Sequence, residues 1–175
     1  LMGSFVTMYN YIGFKLVEPP YLLSMTIVSW LFIVYLVGSW SSAWFGSLSD
    51  TYGRQKVLYS GILIMLTGAV LTFPVSLTLK VIGLVIFTFG FFGSHSTASG
   101  WVSQLAETDK AQASSLYLFA YYMGSSIGGT IGGLFWSKYG WTGTVTFMAS
   151  SLLMTLIFAS LIHYLYLNYQ KMQDI

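Results

Sequence analysis

The sequence predicts an all-α integral membrane protein. Three observations carry the prediction: a very low charge content, a division of the chain by those few charges into long uncharged runs, and short connections rich in turn residues between the runs. Hydrophobic residues make up 55% of the 175 positions and charged residues 7%, where soluble domains hold about 25% charged residues. The uncharged runs are 1–14, 19–49, 57–79, 81–106, 111–137 and 139–170. Five of the six are 23 to 32 residues long, and about 20 residues of helix cross a bilayer.

Taken in order, the spans fall near 1–13, 24–49, 57–76, 81–105, 110–136 and 142–167. The first run reaches only about 21 Å as a helix against a hydrocarbon core of about 30 Å. It reads as the end of a longer, truncated helix, and the chain as the later part of a longer protein. KLVEPP (15–20) breaks the helix, because two prolines lack N–H donors and push the preceding residue out of helical geometry. Pro74 and KYGW (138–141) mark short connections, which make consecutive spans antiparallel neighbours. TDKAQ opens the fifth span, with Asp109 as cap, Gln112 at the third helical position and Glu107 beside the helix dipole.

Alternation puts 50–56, 106–110 and the tail 168–175 on one side, and Lys15, Lys80 and Lys138 on the other. Four Lys or Arg against three favour the first side as cytoplasmic. Trp101, Tyr139, Trp141, Tyr164, Tyr166 and Tyr169 sit near span ends, where amphipathic rings anchor a helix at the interface.

The net charge of +2 is scattered and forms no basic stripe, so no nucleic-acid partner is expected. Zero Cys excludes disulfides and thiolate ligands. With no Walker loop, HExxH, GxSxG or ligand cluster, neither a metal, a cofactor nor an enzymatic reaction is expected. Ser99 and His163 alone suggest a serine–histidine dyad of the rhomboid intramembrane-protease kind. The residues following His163 are large where that family has small ones, which leaves this as a remote alternative.

Three features invite a functional reading. In GSSIGGTIGG, Gly124, Gly128 and Gly132 form one row at four-residue spacing and Gly129 and Gly133 a second, a face on which another helix backbone can approach closely. His95 stands mid-span among Ser94, Ser96, Thr97 and Ser99; an imidazole at bilayer depth faces protein or water, as a substrate or proton group or as a hydrogen-bonded packing residue. Tyr9, Asn10 and Tyr11, with Tyr35, Tyr117, Tyr121 and Tyr122, supply phenols and an amide able to line a cavity or pack the bundle.

A fourth feature is GSLSDTYGRQKVL (46–58), the densest charge cluster in the chain. It resembles the signature loop of the major facilitator superfamily, roughly G-x-L-x-D-x-x-G-R-x-x-x-L, with Gly46, Leu48, Asp50, Gly53, Arg54 and Leu58 at its places and Lys56 in the following basic position. The glycine rows are similar to the drug-antiporter signature gxxxGPxxGG, but Gly129 stands where its proline would be, which favours the pseudo-equivalent helix eleven over helix five. FVTMYNYIGFKL and FTFGFFGSHSTASGW complete a likeness to helices seven to twelve of bacterial efflux permeases.

The resemblance implies a six-helix half-bundle and proton-coupled efflux of a small molecule by alternating access, in a bacterial inner membrane. Its partners would be the bilayer, the substrate, and an N-terminal six-helix half or a second chain. It makes Gly46, Asp50, Gly53, Arg54 and Lys56 a conformational latch, and Tyr9, Asn10, His95 and Ser99 candidate cavity residues. The alternative is a truncated or half-size membrane protein without transport activity of its own.

Overall fold

The computed structural model describes the backbone of residues 1–106 and 108–173 and the side chains of residues 1–106 and 108–165. The expectations for Glu107 and for the side chains of Tyr166, Tyr169 and Lys171 fall outside the described residues. Among those described, every regular element is helical: α1 (Met2–Val17), α2 (Met25–Ser29), a 3₁₀ turn (Trp30–Val34), α3 (Tyr35–Tyr52), α4 (Arg54–Leu71), α5 (Leu77–Leu105) and α6 (Lys110–Gln173). The segments Met25–Tyr52, Leu77–Leu105 and Lys110–Leu165 are long and apolar enough to cross a membrane.

One element differs from its simplest sequence reading, and another breaks within the KYGW segment where a connection is expected. The second span is not one uniform helix, because it tightens to 3₁₀ geometry over Trp30–Val34. In a 3₁₀ turn, residues i and i+3 eclipse, and the consequence is visible in Phe32 and Tyr35, whose rings stack at 5.8 Å with 6° between planes. α6 is interrupted at Gly140, with φ 60 and ψ −147. Such a backbone is strained for any residue with a Cβ, so this glycine divides α6 into a first arm (110–139) and a second arm (141–173).

The core forms where the apolar faces of the helices meet. Phe5, Met8, Ile12 and Leu16 recur at helical spacing on α1 and are all buried. They join Ile62 and Met65 of α4, Phe87 and Phe91 of α5, and Met148 and Leu152 of the second arm in one cluster.

Glycines set how closely the rods approach. A Cβ on Gly68 of α4 would lie 2.6 Å from the Phe87 Cα of α5, and one on Gly90 of α5 would lie 2.7 Å from the Gly61 carbonyl oxygen. Gly38 of α3 is covered by the Phe92 ring, and Gly93 of α5 by the Phe45 ring. The rows on the first arm of α6 receive α1. A Cβ on Gly3 would lie 2.8 Å from the Gly124 oxygen, the Thr7 hydroxyl donates to the Gly128 carbonyl at 3.0 Å, and the Tyr11 hydroxyl donates to that of Gly129 at 3.2 Å.

Lys80 departs from its expected place among the loop charges of one membrane face. It lies within α5, 1% exposed, and its ammonium donates to the Thr72 carbonyl at 2.6 Å. Trp141, expected as an interfacial anchor, is instead buried and donates its indole N–H to the same oxygen at 2.8 Å. The ammonium also sits 4.8 Å from the centre of the Trp141 ring. A carbonyl at the negative end of α4 and an electron-rich ring face together compensate a cation withdrawn from water. Hydropathy shows only that Lys80 interrupts an apolar run, and says nothing of this partnership.

Candidate functional site

The charged segment is not a loop. Gly53 alone separates α3 from α4, with φ 88 and ψ 137, a conformation that favours a residue without a Cβ. Asp50 therefore lies on the last turn of α3, and Arg54 and Lys56 on the first turn of α4. The expected loop at 50–56 is corrected to a one-residue junction, because charges mark where a helix meets water and not where its hydrogen bonds stop.

The Arg54 guanidinium lies 3.6 Å from the Asp50 carboxylate; the side chains are 21% and 76% exposed, respectively. Arg54 also lies against Gly100 of α5, where any Cβ would displace it. Asp50 brings negative charge beside the positive N-terminus of α4, offsetting the unfavourable Arg54 at that end. The junction opens on a cavity of about 480 Å³ lined by Asp50, Arg54, Lys56, Trp101, Gln104 and His163. Gly46 has no neighbour within 4 Å of the position a Cβ would take, so nothing among the described residues explains a need for glycine there.

A second arrangement lies along the helices. The Tyr9 hydroxyl shares a hydrogen bond with that of Thr88 at 2.7 Å, and His95 Nδ1 shares one with the Tyr117 hydroxyl at 2.8 Å. A run of rings joins these pairs. Tyr35 stacks on Tyr9 at 4.9 Å, Tyr9 meets Phe5 at 4.8 Å, and Phe5 stacks on Phe91 at 3.8 Å. Phe91 lies parallel to His95 at 5.9 Å, and His95 meets Tyr121 at 4.6 Å. Phe5 and Phe91 are buried behind this wall, while Tyr9, Tyr35, His95 and Tyr121 are half-buried and Phe32 is exposed.

Four residues were expected in a cavity, and the structure joins two of them, Tyr9 and His95. Asn10 is exposed and lies near Gly129, about 100° around α1 from Tyr9. Ser99 is half-buried one turn beyond His95. His163 lines the cavity at the α3–α4 junction, and among the described residues no hydrogen bond joins it to Ser99, so no serine–histidine dyad forms.

Phe5, Phe32, Thr88 and Phe91 were missed as wall residues. A signal for part of the wall existed: Phe5 and Tyr9, Phe91 and His95, and Tyr117 and Tyr121 are each four residues apart on their helices, a spacing that stacks ring over ring.

An all-α membrane bundle with an acid–glycine–base junction between its third and fourth numbered helices defines a helical membrane transporter fold. The family model described as Major Facilitator Superfamily matches residues 1–171, and the chain belongs to that family. The chain is 51% identical over 156 residues to the uncharacterized MFS-type transporter YybF of Bacillus subtilis (strain 168), covering 89% of this chain and 39% of that protein. It is 46% identical over 163 residues to the inner membrane transport protein YnfM of Escherichia coli (strain K12), covering 93% of this chain and 39% of that one. An uncharacterized transporter of Buchnera aphidicola subsp. Schizaphis graminum is 44% identical over 162 residues, covering 93% and 38%. No solved structure matches. The chain thus spans about two-fifths of the length of these relatives.

Proposed function

We propose that this chain is the C-terminal six-helix half of a secondary transporter that exports a small molecule in exchange for protons, by alternating access in a bacterial inner membrane. The observation that carries the reading is the α3–α4 junction. Asp50 and Arg54 stand at an open rim, one turn from a Gly46 beside which the described residues leave open space where a Cβ would stand. A latch closing on a second six-helix half accounts for that glycine and for an acid left 76% exposed. The relatives' bacterial sources, and the inner-membrane name of one, support the location.

Alternating access in this family rocks one half against the other around a central site. The aromatic wall of α1, α3, α5 and α6 supplies this half's side of that site. Among the described residues no Asp or Glu lies on it, so a proton-carrying carboxylate would come from the other half.

The full-length gene product in proteoliposomes tests the reading. A pH gradient should drive uptake or release of a substrate found by export screening, and the 175-residue chain alone should give none until an N-terminal half is co-expressed. Gradient-independent flux would sink proton coupling, and flux by the short chain alone would sink the need for a partner half.

His95 is expected to act at this site through its bond with Tyr117. His95→Gln keeps a hydrogen-bonding side chain but cannot titrate near neutral pH. The variant should alter the pH dependence of transport and narrow the substrate range. An unaltered pH profile and substrate range would leave His95 a packing residue.

A further inference from the structure

Resting on the transport reading above, we infer that the substrate of this half is an uncharged, ring-bearing small molecule, held by stacking on the aromatic wall and oriented by one or two hydrogen bonds. The wall's composition carries the inference. From Phe32 through Tyr35 and Tyr9 to His95 and Tyr121, the half-buried and exposed side chains are rings, and each touches the next or shares the buried Phe5–Phe91 stack. A planar apolar solute laid on such a surface gains area burial and ring contact together.

The polar groups on the wall are hydroxyls and one imidazole. Four of them form two closed pairs, Tyr9 with Thr88 and His95 with Tyr117, and the Tyr35 and Tyr121 hydroxyls have no hydrogen-bond partner among the described residues. A hydroxyl in such a pair keeps free acceptor capacity, so each pair accepts a further hydrogen bond from a ligand without first breaking its own. Two such points fix a ring in its plane but cannot neutralise a full charge.

Among the described residues, no charged side chain is part of this wall. Asp50, Arg54 and Lys56 are at the α3–α4 junction, and Lys80 is engaged by Thr72 and Trp141. A carboxylate or phosphate on the solute would meet no cation on this wall, and burying an unpaired ion is costly. Ring faces attract cations, but no carboxylate stands near to complete the compensation. The 3₁₀ turn belongs to the same device. By eclipsing Phe32 over Tyr35 it adds an exposed ring parallel to the stack that Tyr9 and Tyr35 begin, which lengthens the surface for a flat ligand.

The test uses the purified full-length transporter and one fluorophore in three charge states: neutral 7-methoxycoumarin, its 4-acetate anion, and a trimethylammonium derivative. Binding is read by fluorescence anisotropy at fixed ionic strength. The neutral ring should bind saturably, with the anion and the cation each at least about tenfold weaker. Tyr35→Leu and Tyr121→Leu should each weaken the neutral ring by about threefold to tenfold, whereas Tyr35→Phe, which keeps the ring, should bind like the parent.

Absence of saturable binding by the neutral ring, equal or tighter binding of either ion, or leucine variants that bind like the parent would overturn the inference. Binding requires neither a gradient nor a completed transport cycle. Flux of a charged solute without neutral-ring binding would overturn this inference and leave the transporter intact. Neutral-ring binding as expected, with no gradient-driven flux, would do the reverse.

Discussion

Gly90→Ala should lower the melting temperature of the full-length protein in detergent by roughly 2–4 °C, a cost of about 2–3 kcal/mol of overpacking. The added methyl would lie 2.7 Å from the Gly61 carbonyl oxygen and 2.9 Å from the Met65 Cα, both backbone atoms of α4. Side chains can turn aside, but a helix backbone can yield only by moving the whole rod. Separating α4 from α5 would also disturb the neighbouring contact at Gly68, where Phe87 sits on bare backbone, and loosen the Ile62–Met65–Phe87 core.

Gly124→Ala is the matched control. It lies in the more conspicuous glycine row, yet its Cβ would meet nothing within 4 Å. Alanine favours a helix over glycine by about 1 kcal/mol, so this variant should melt at the parent temperature or slightly above. Were Gly90→Ala to melt within a degree of the parent, the close approach of α4 and α5 would be wrong. A large loss in Gly124→Ala would place another segment on that row.

The contrast shows what the sequence makes legible. Rows at four-residue spacing announce themselves, and those on α6 do receive α1. Gly61 and Gly68 on α4, and Gly83 and Gly90 on α5, stand seven residues apart in otherwise apolar runs, so each passes for an isolated glycine although together they set the close approach of α4 and α5. Packing depends on which two faces meet, and a single chain's periodicity cannot name the partner face.

Charge behaves similarly. Asp50, Arg54 and Lys56 locate the break between two helices but misplace the helix start, since α4 already includes Arg54. Lys80 looks like another edge marker, because its carbonyl and aromatic partners come from residues 72 and 141, distant in sequence. Tyr9 and Asn10 were read as a unit from adjacency; the helix sends consecutive side chains about 100° apart, and only Tyr9 reaches the wall. His95 was legible as an intramembrane ionisable group, but its hydrogen bond to Tyr117 depends on how α5 and α6 cross.

Asp50→Asn should reduce transport by the full-length protein about tenfold while its amount in the membrane and its melting temperature stay near those of the parent. The stability half of this follows from this chain alone. The pair with Arg54 is 3.6 Å long, with the carboxylate 76% exposed, and ion pairs of that kind contribute about 0–1 kcal/mol. Asparagine keeps the shape and can still hydrogen-bond to the guanidinium, so α3, the Gly53 turn and α4 remain as they are.

The transport half rests on the proposed latch. An acid at the N-terminus of α4, beside a base that Gly100 allows to lie flat on α5, can shift the balance between two transporter states only by binding one of them better. A coupling of about 1–3 kcal/mol corresponds to a factor of about 5 to 150 in that balance, and a tenfold loss lies inside that range. Arg54→Ala should cost a similar amount, and the double variant little more than either, since both residues act in one contact. Unchanged transport in Asp50→Asn, or losses that simply multiply in the double variant, would remove the latch and reduce the junction to a tight turn between two helices.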